Sequence, residues 1–97
     1  MPRRDDRPLE SSVEATFTGE AARLNVLPVK LGRDGWPDRM LLSNDGRVAF
    51  SELKREGEEP EPLQLYIIEE LRRRGFFAEV VDTADKARGF FRRWLSS

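Results

Sequence analysis

The chain has 97 residues, with 17 basic and 18 acidic side chains, a net charge of −1, and neither histidine nor cysteine. This length predicts one small domain, and the two missing residue types exclude disulfides, zinc fingers, thiol nucleophiles and histidine bases. The balanced charge gives no general attraction to a polyanion, so any nucleic-acid binding must depend on local patches.

The first nine residues are charged and lack the apolar block of a secretory signal. We interpret residues 1–9 as a flexible charged arm and residues 10–97 as a single domain. No apolar run approaches the roughly 20 residues of a membrane span. We therefore expect a soluble cytoplasmic protein that does not bind membranes.

The spacing of apolar residues predicts a first helix over residues 10–24, with Val13, Phe17, Ala21 and Leu24 on one face. That face would pack on a sheet. Residues 26–31 form a short apolar stretch that contains Pro28. Because proline cannot donate to a strand ladder, this stretch is better suited to a sheet edge than to its centre.

A β-hairpin follows. One strand begins at Asp38 and runs to Leu42, a turn lies at Asn44-Asp45-Gly46, and the returning strand covers Val48 to Lys54. The turn residues tolerate the positive φ angles of tight hairpins.

A second helix is predicted over residues 62–74, because Pro62 suits a first turn and Gly75 suits a helix end. Its buried stripe should contain Leu63, Ile67, Ile68 and Leu71. A further strand and a last helix complete the order α-β-β-β-α-β-α. The last helix carries an apolar band of Phe90, Phe91, Trp94 and Leu95. The fold class is therefore mixed α/β, a small mixed sheet flanked by helices.

The chemistry is concentrated in Asp38, Glu52 and Lys54. Side chains alternate along a strand, so Glu52 and Lys54 share one face, and the hairpin can bring Asp38 opposite them. Two converging carboxylates repel each other, so their approach is favourable mainly around a cation, and Mg²⁺ prefers such oxygen ligands. The alternative is an exposed Glu-Lys pair of little energetic consequence, with Asp38 as a turn residue.

The segments Gly35-Trp36-Pro37-Asp38-Arg39 and Val48 to Lys54, followed by Gln64 and Gly75, resemble the VRR-NUC domain of the PD-(D/E)xK nuclease superfamily. The resemblance covers nearly the whole chain and implies a restriction-endonuclease-like core. It also implies a Mg²⁺- or Mn²⁺-dependent endonuclease, phage or bacterial and intracellular, that cuts branched DNA such as four-way (Holliday) junctions as a homodimer.

The resemblance further implies the roles of individual residues. Asp38, Glu52 and the backbone carbonyl of Leu53 would hold the metal, and Lys54 would serve catalysis. Gln64 would help to position the lysine, the water or the phosphate. The family also uses a glutamate on its first helix, which corresponds to Glu10.

Helical geometry gives Glu10 independent support, because it lies near the centre of the apolar stripe of the first helix, whereas Glu14 lies to its flank. Glu14 is the alternative ligand, and Glu10 could simply be an acidic residue in the first turn of the helix, which the helix dipole favours. Gln64 could likewise only satisfy backbone groups at the start of its helix. Lys30 and Arg39 are candidate phosphate ligands.

Further charged segments leave alternatives open. Arg72-Arg73-Arg74 and Arg92-Arg93 could contact phosphates or only face water at helix ends. The acidic loop of residues 56–61 would repel a duplex, so it must point away from the site or discriminate between substrates. A flap-cutting or nicking nuclease and a non-catalytic DNA-binding module are the alternative functions.

Overall fold

The computed structural model describes the backbone of residues 8–97 and the side chains from Ser12 onward. Its elements follow the predicted order: α1 (Pro8–Arg23), β1 (Leu27–Lys30), β2 (Arg39–Leu42), β3 (Val48–Leu53), α2 (Pro62–Arg73), β4 (Phe77–Val81) and α3 (Ala84–Leu95). The helix predicted from Glu10 thus begins at Pro8. Of the predicted arm, residues 1–7 lie outside the described part of the chain. None of the described helices has the length and apolar character that crossing a bilayer requires.

The four strands form one mixed sheet in the order β1-β2-β3-β4. The β1–β2 and β2–β3 pairs are antiparallel, and β3 pairs with β4 in parallel. β1 is therefore an edge strand, which confirms the position inferred from Pro28. The parallel pair needs a crossover connection, and α2 supplies it.

Backbone bonds at the ends of two helices explain where these helices stop. After α1, the N–H of Val26 donates to the carbonyl of Ala21 at 2.8 Å, and Asn25 adopts a positive φ of 58°. After α2, the N–H of Phe76 donates to Leu71 at 3.0 Å, with Gly75 at φ 93°. Both are Schellman motifs. Gly75 ends α2, as the sequence predicted.

The sheet has a hydrophobic core on each face. One core lies under α1 and α3 and is built around Phe17, Leu41, Phe90 and Phe91. The other lies under α2 and contains Phe50, Ile68, Leu71 and Ala78. The apolar band of α3 mainly packs inside the domain, since three of its four members, Phe90, Phe91 and Trp94, are buried.

One prediction for α2 was wrong. Leu63, assigned to its buried stripe, is 52% exposed, whereas Ile68 and Leu71 are buried. The inward position in the first turn is taken by Gln64, which contacts β3. Leu63 lies instead beside Gly35, where an added Cβ would come within 2.4 Å of the leucine side chain. Periodicity alone could not show which residue of the first turn faces the sheet.

Candidate active site

The hairpin brings the three predicted catalytic side chains to one end of the sheet. The register pairs Arg39 with Ser51, so Asp38, one residue before β2, lies opposite the end of β3. The Asp38 carboxylate accepts a hydrogen bond from the Leu53 N–H at 2.9 Å. This contact fixes the Asp38 side chain across the strand that carries Glu52.

Glu52 and Lys54 share a strand face, as predicted, and their charged groups meet. The Lys54 Nζ lies 3.4 Å from Glu52 Oε2, with Lys54 14% and Glu52 2% exposed. Such deep burial requires polar partners, and one of them is missing: Glu52 Oε1 has no hydrogen-bond donor among the described residues.

Burial raises the pKa of the Glu52 carboxyl, and the nearby Asp38 carboxylate raises this pKa further. The positive charge of Lys54 acts in the opposite direction. The carboxyl group therefore lies where a cation would stabilise its charged form.

Gln64 links the start of α2 to the catalytic strand. Its Nε2 donates to Glu52 Oε2 at 2.9 Å, and its Oε1 accepts from the Glu61 N–H at 2.9 Å. These two partners define the orientation of the amide. If the amide were flipped, its NH₂ group would face the Glu61 N–H, and two donors would meet. Gln64 therefore reaches the site, and it also satisfies a backbone group at the helix start.

A cleft of about 170 Å³ opens beside these groups and is lined by Glu14, Lys30, Asp38, Arg39 and Leu53. Glu14, from α1, forms an ion pair with Arg39, which is only 12% exposed. This pair joins residues 25 positions apart, and no local sequence pattern predicts it. Lys30 is exposed at the cleft. The side chain of Glu10 lies outside the described residues. Of the two candidate helix-borne acids, only the position of Glu14 is therefore described, and it lines the cleft.

The two ends of the acidic loop lie in different places. The Gly57 N–H donates to Asp82 Oδ2, just after β4, at 3.4 Å. Glu56 lines a small cavity with Asp82 and Thr83. The start of the loop thus lies at the β4 edge, whereas the cleft is lined from the β1–β2 side. The loop ends at Glu61, whose N–H contacts Gln64 beside the site.

In the part of the chain whose side chains are described, no three acidic residues lie close enough together to hold a metal ion. Two carboxylates with water and a substrate phosphate are nevertheless sufficient for Mg²⁺. Asp38 and Glu52 provide them, and the unpaired Oε1 of Glu52 is a free oxygen donor. The donor set therefore fits a hard divalent cation.

Comparisons with known proteins agree with this geometry. No family model matches the chain. A protein named "Putative nuclease p44", from Acyrthosiphon pisum secondary endosymbiont phage 1, is 36% identical over 59 residues, which cover 58% of this chain and 63% of that protein. The chain thus spans less than two thirds of that relative's length.

A solved structure described as a VRR_NUC domain superposes with a TM-score of 0.79 at 29% identity, covering 88% of this chain and 96% of the other. The fold shared with it is the four-stranded mixed sheet flanked by helices described above. The shared fold and these similarities support the assignment of this chain as a VRR-NUC domain.

Proposed function

We propose that this domain is a structure-selective DNA endonuclease that hydrolyses phosphodiester bonds with Mg²⁺ or Mn²⁺. The observation that carries the proposal is the meeting of Asp38, Glu52 and Lys54 at one end of the sheet, with one Glu52 oxygen left without a donor among the described residues. The similarity to a VRR_NUC domain and to a protein named as a nuclease supports the same activity.

Asp38, Glu52 and the carbonyl of Leu53 would hold the cation. Glu10 remains the proposed helix-borne ligand, and Glu14, which lines the same cleft, is the alternative. When bound, the cation would lower the pKa of a water molecule and stabilise negative charge on the phosphate.

The other side chains have separate tasks. Lys54 presents an ammonium group beside Glu52, where it can orient a water molecule and stabilise charge on the phosphate. Gln64 holds the Glu52 carboxylate in one orientation through its amide donor. Lys30, exposed at the cleft, can contact a substrate phosphate. Arg39 lies in the same cleft, with its guanidinium paired to Glu14, and would add positive charge there.

We propose a four-way junction as the substrate and a homodimer as the active form, since a two-fold dimer can offer two sites to two related strands. This part of the proposal depends on the family resemblance. A flap-cutting or nicking specificity is the alternative.

The test is an incubation of the protein with labelled four-way junction, flap, linear duplex and single strand, with Mg²⁺, Mn²⁺ or EDTA. We expect metal-dependent cutting, strongest on the junction. Glu52→Gln and Lys54→Ala should lower the rate by roughly 100-fold or more, because each removes a charged group from the reaction.

Glu59→Gln is the matched control for Glu52→Gln. It makes the same chemical change in the exposed loop after β3 and should cut at the wild-type rate. Wild-type cutting by Glu52→Gln would refute the mechanism. DNA binding without any cutting would favour the non-catalytic module, and light scattering with and without DNA would test the homodimer.

A further inference from the structure

A second cleft, of about 390 Å³, lies between the C-terminal half of α1 and the helix α3. Three arginines line it, Arg23 from α1 and Arg88 and Arg92 from α3, together with the carboxylate of Glu20. The buried ring of Phe91 contributes to the apolar part of its wall. The sequence suggested a possible phosphate contact for Arg92 but not its grouping with Arg23 and Arg88, and the proposed active site does not account for this group of charges.

The cleft carries an excess of positive charge. Arg23 pairs with Glu20 at 2.8 Å, and Arg88 pairs with Asp85, whose side chain is almost fully exposed. Arg92 has no carboxylate partner among the described residues. The hydrogen bond from Arg23 lowers the pKa of Glu20, and the charges of Arg23, Arg88 and Arg92 lower it as well, so all three guanidinium groups lie near this one carboxylate.

The helix dipole explains only part of this cluster. Arg23 and Arg92 lie in the last turns of α1 and α3, where basic residues are favoured, but Arg88 lies in the second turn of α3. The final carbonyls of α3 already accept hydrogen bonds from Arg47, at 2.9 Å for Leu95. Arg88 and Arg92 are also spaced i,i+4, where like charges destabilise a helix. An anion bound between them would remove this cost.

The cleft is separate from the active site. It shares Leu24 and Leu95 with a cavity that reaches the β2–β3 turn, at the opposite end of β3 from Glu52. Because a strand rises about 3.3 Å per residue, the five residues from Arg47 to Glu52 span roughly 16 Å. The spacing of phosphates along one DNA strand is ~3.4 Å, so the separation between the turn and Glu52 corresponds to about five nucleotides.

We propose that the cleft of Arg23, Arg88 and Arg92 is a phosphodiester-binding site that holds the DNA backbone several nucleotides away from the scissile bond. Guanidinium groups suit phosphate, because their donors match its oxygens in pairs. In a chain with a net charge of −1, such a local patch supplies the attraction that overall charge does not. This inference rests on the proposed nuclease function, whose substrate contacts it extends.

The test measures binding of a labelled four-way junction by fluorescence anisotropy with EDTA present, at several salt concentrations. Arg92→Ala should raise Kd roughly tenfold, since it removes hydrogen bonds between charged groups. The slope of log K against log salt should fall by about 1, the value for one lost phosphate contact. Glu20→Gln should tighten binding, because it removes the carboxylate that competes with phosphate.

Lys86→Ala is the control. It removes one positive charge from an exposed residue of the same helix, which pairs with Asp82 at 2.9 Å, and it should leave Kd and slope unchanged. Arg92→Lys should recover part of the affinity. The inference is overturned if Arg92→Ala binds the junction with the wild-type Kd and slope.

Two further measurements separate the possible failures. In cutting assays with Mn²⁺, Arg92→Ala should raise KM and leave kcat unchanged. If Arg92→Ala cuts DNA with the wild-type KM, the inference about the cleft is wrong and the nuclease function stands. If binding depends on Arg92 but neither protein cuts DNA, the nuclease function is wrong and the inference about the cleft stands. Inorganic phosphate is the second probe. Phosphate could raise the Tm of the wild type but not that of Arg92→Ala, while both proteins bind DNA with the same Kd. In that case the cleft binds a small phosphate compound, and the proposed DNA contact is wrong.

Discussion

Replacing Gln64 by glutamate or by alanine tests the contact that joins α2 to the catalytic strand. Gln64→Ala removes both hydrogen bonds of the amide, the one to Glu52 and the one from the Glu61 N–H. A capping contact contributes about 1 kcal/mol, and a hydrogen bond to a charged group contributes roughly 1.5–3 kcal/mol. Because Gln64 is partly exposed, we take the lower end and expect a loss of about 2–3 kcal/mol.

Gln64→Glu keeps the acceptor for Glu61 but places a second carboxyl group against Glu52. Two carboxylates about 3 Å apart repel each other by roughly 5 kcal/mol at an effective dielectric of 20, so the pair should retain one proton. The unfolded chain releases that proton above its ordinary pKa of about 4.3. The native state then binds more protons than the unfolded state, so stability should fall as the pH rises.

The assay is urea unfolding at several pH values between about 5 and 8, above the ordinary pKa of a glutamate. The free energy of unfolding of Gln64→Glu should fall by up to ~1.4 kcal/mol per pH unit more steeply than that of the wild type. Leu65→Glu is the control, since it adds the same charge to the first turn of α2 on an exposed position. There the helix dipole favours the carboxylate, so stability should change little and rise slightly with pH. Equal pH slopes for Gln64→Glu and the wild type would refute the contact between Gln64 and Glu52.

The remaining predictions concern the metal, a helix end and a buried hydroxyl. Saturating Mn²⁺ or Mg²⁺, at about 100 times its Kd, should raise the free energy of unfolding of the wild type by about 2.7 kcal/mol. Glu52→Gln should not gain this stability. An equal rise in Tm for both proteins would exclude Glu52 as a ligand. Arg47→Ala should cost about 1–2 kcal/mol in urea unfolding, because it removes donors from the last carbonyls of α3, whereas Arg55→Ala, which changes an exposed arginine, should cost almost nothing. Ser51→Ala should be neutral or stabilising by up to ~1 kcal/mol, since its buried Oγ has no partner among the described groups; a loss above ~1 kcal/mol would contradict that assignment.

Local features of this chain could be predicted because their causes are local. Pro28 marks an edge strand, Asn44-Asp45-Gly46 forms the hairpin turn with Gly46 at φ 90°, and Gly75 ends α2. The alternation of Glu52 and Lys54 on one strand face also follows from the period of two. The turn position then determines that Asp38 lies opposite them.

Contacts between distant segments could not be predicted in the same way. The ion pair of Glu14 with Arg39 depends on how α1 crosses the sheet, and the group of Arg23, Arg88 and Arg92 depends on the packing of α1 against α3. No periodicity in the sequence determines either. Leu63 shows the same difficulty at short range, because the start of α2 relative to the sheet decides which residue of the first turn faces inward.

The charges around the active site determine from which side DNA can approach. Among the described residues, the cleft and the end of the hairpin that holds Glu52 carry three acids and three bases: Glu14, Asp38 and Glu52, and Lys30, Arg39 and Lys54. The equal number of positive charges makes the burial of the Glu52 carboxylate possible, because a buried charge must be paired. The acidic loop, which begins at the β4 edge, adds negative charge on that side, whereas the β1–β2 side presents Lys30 at the cleft and, beyond it, the exposed neighbours Arg33 and Asp34. We therefore expect the DNA backbone to reach the site from the β1–β2 side, so that Lys30→Ala raises KM while Lys86→Ala, at the β4 side, does not.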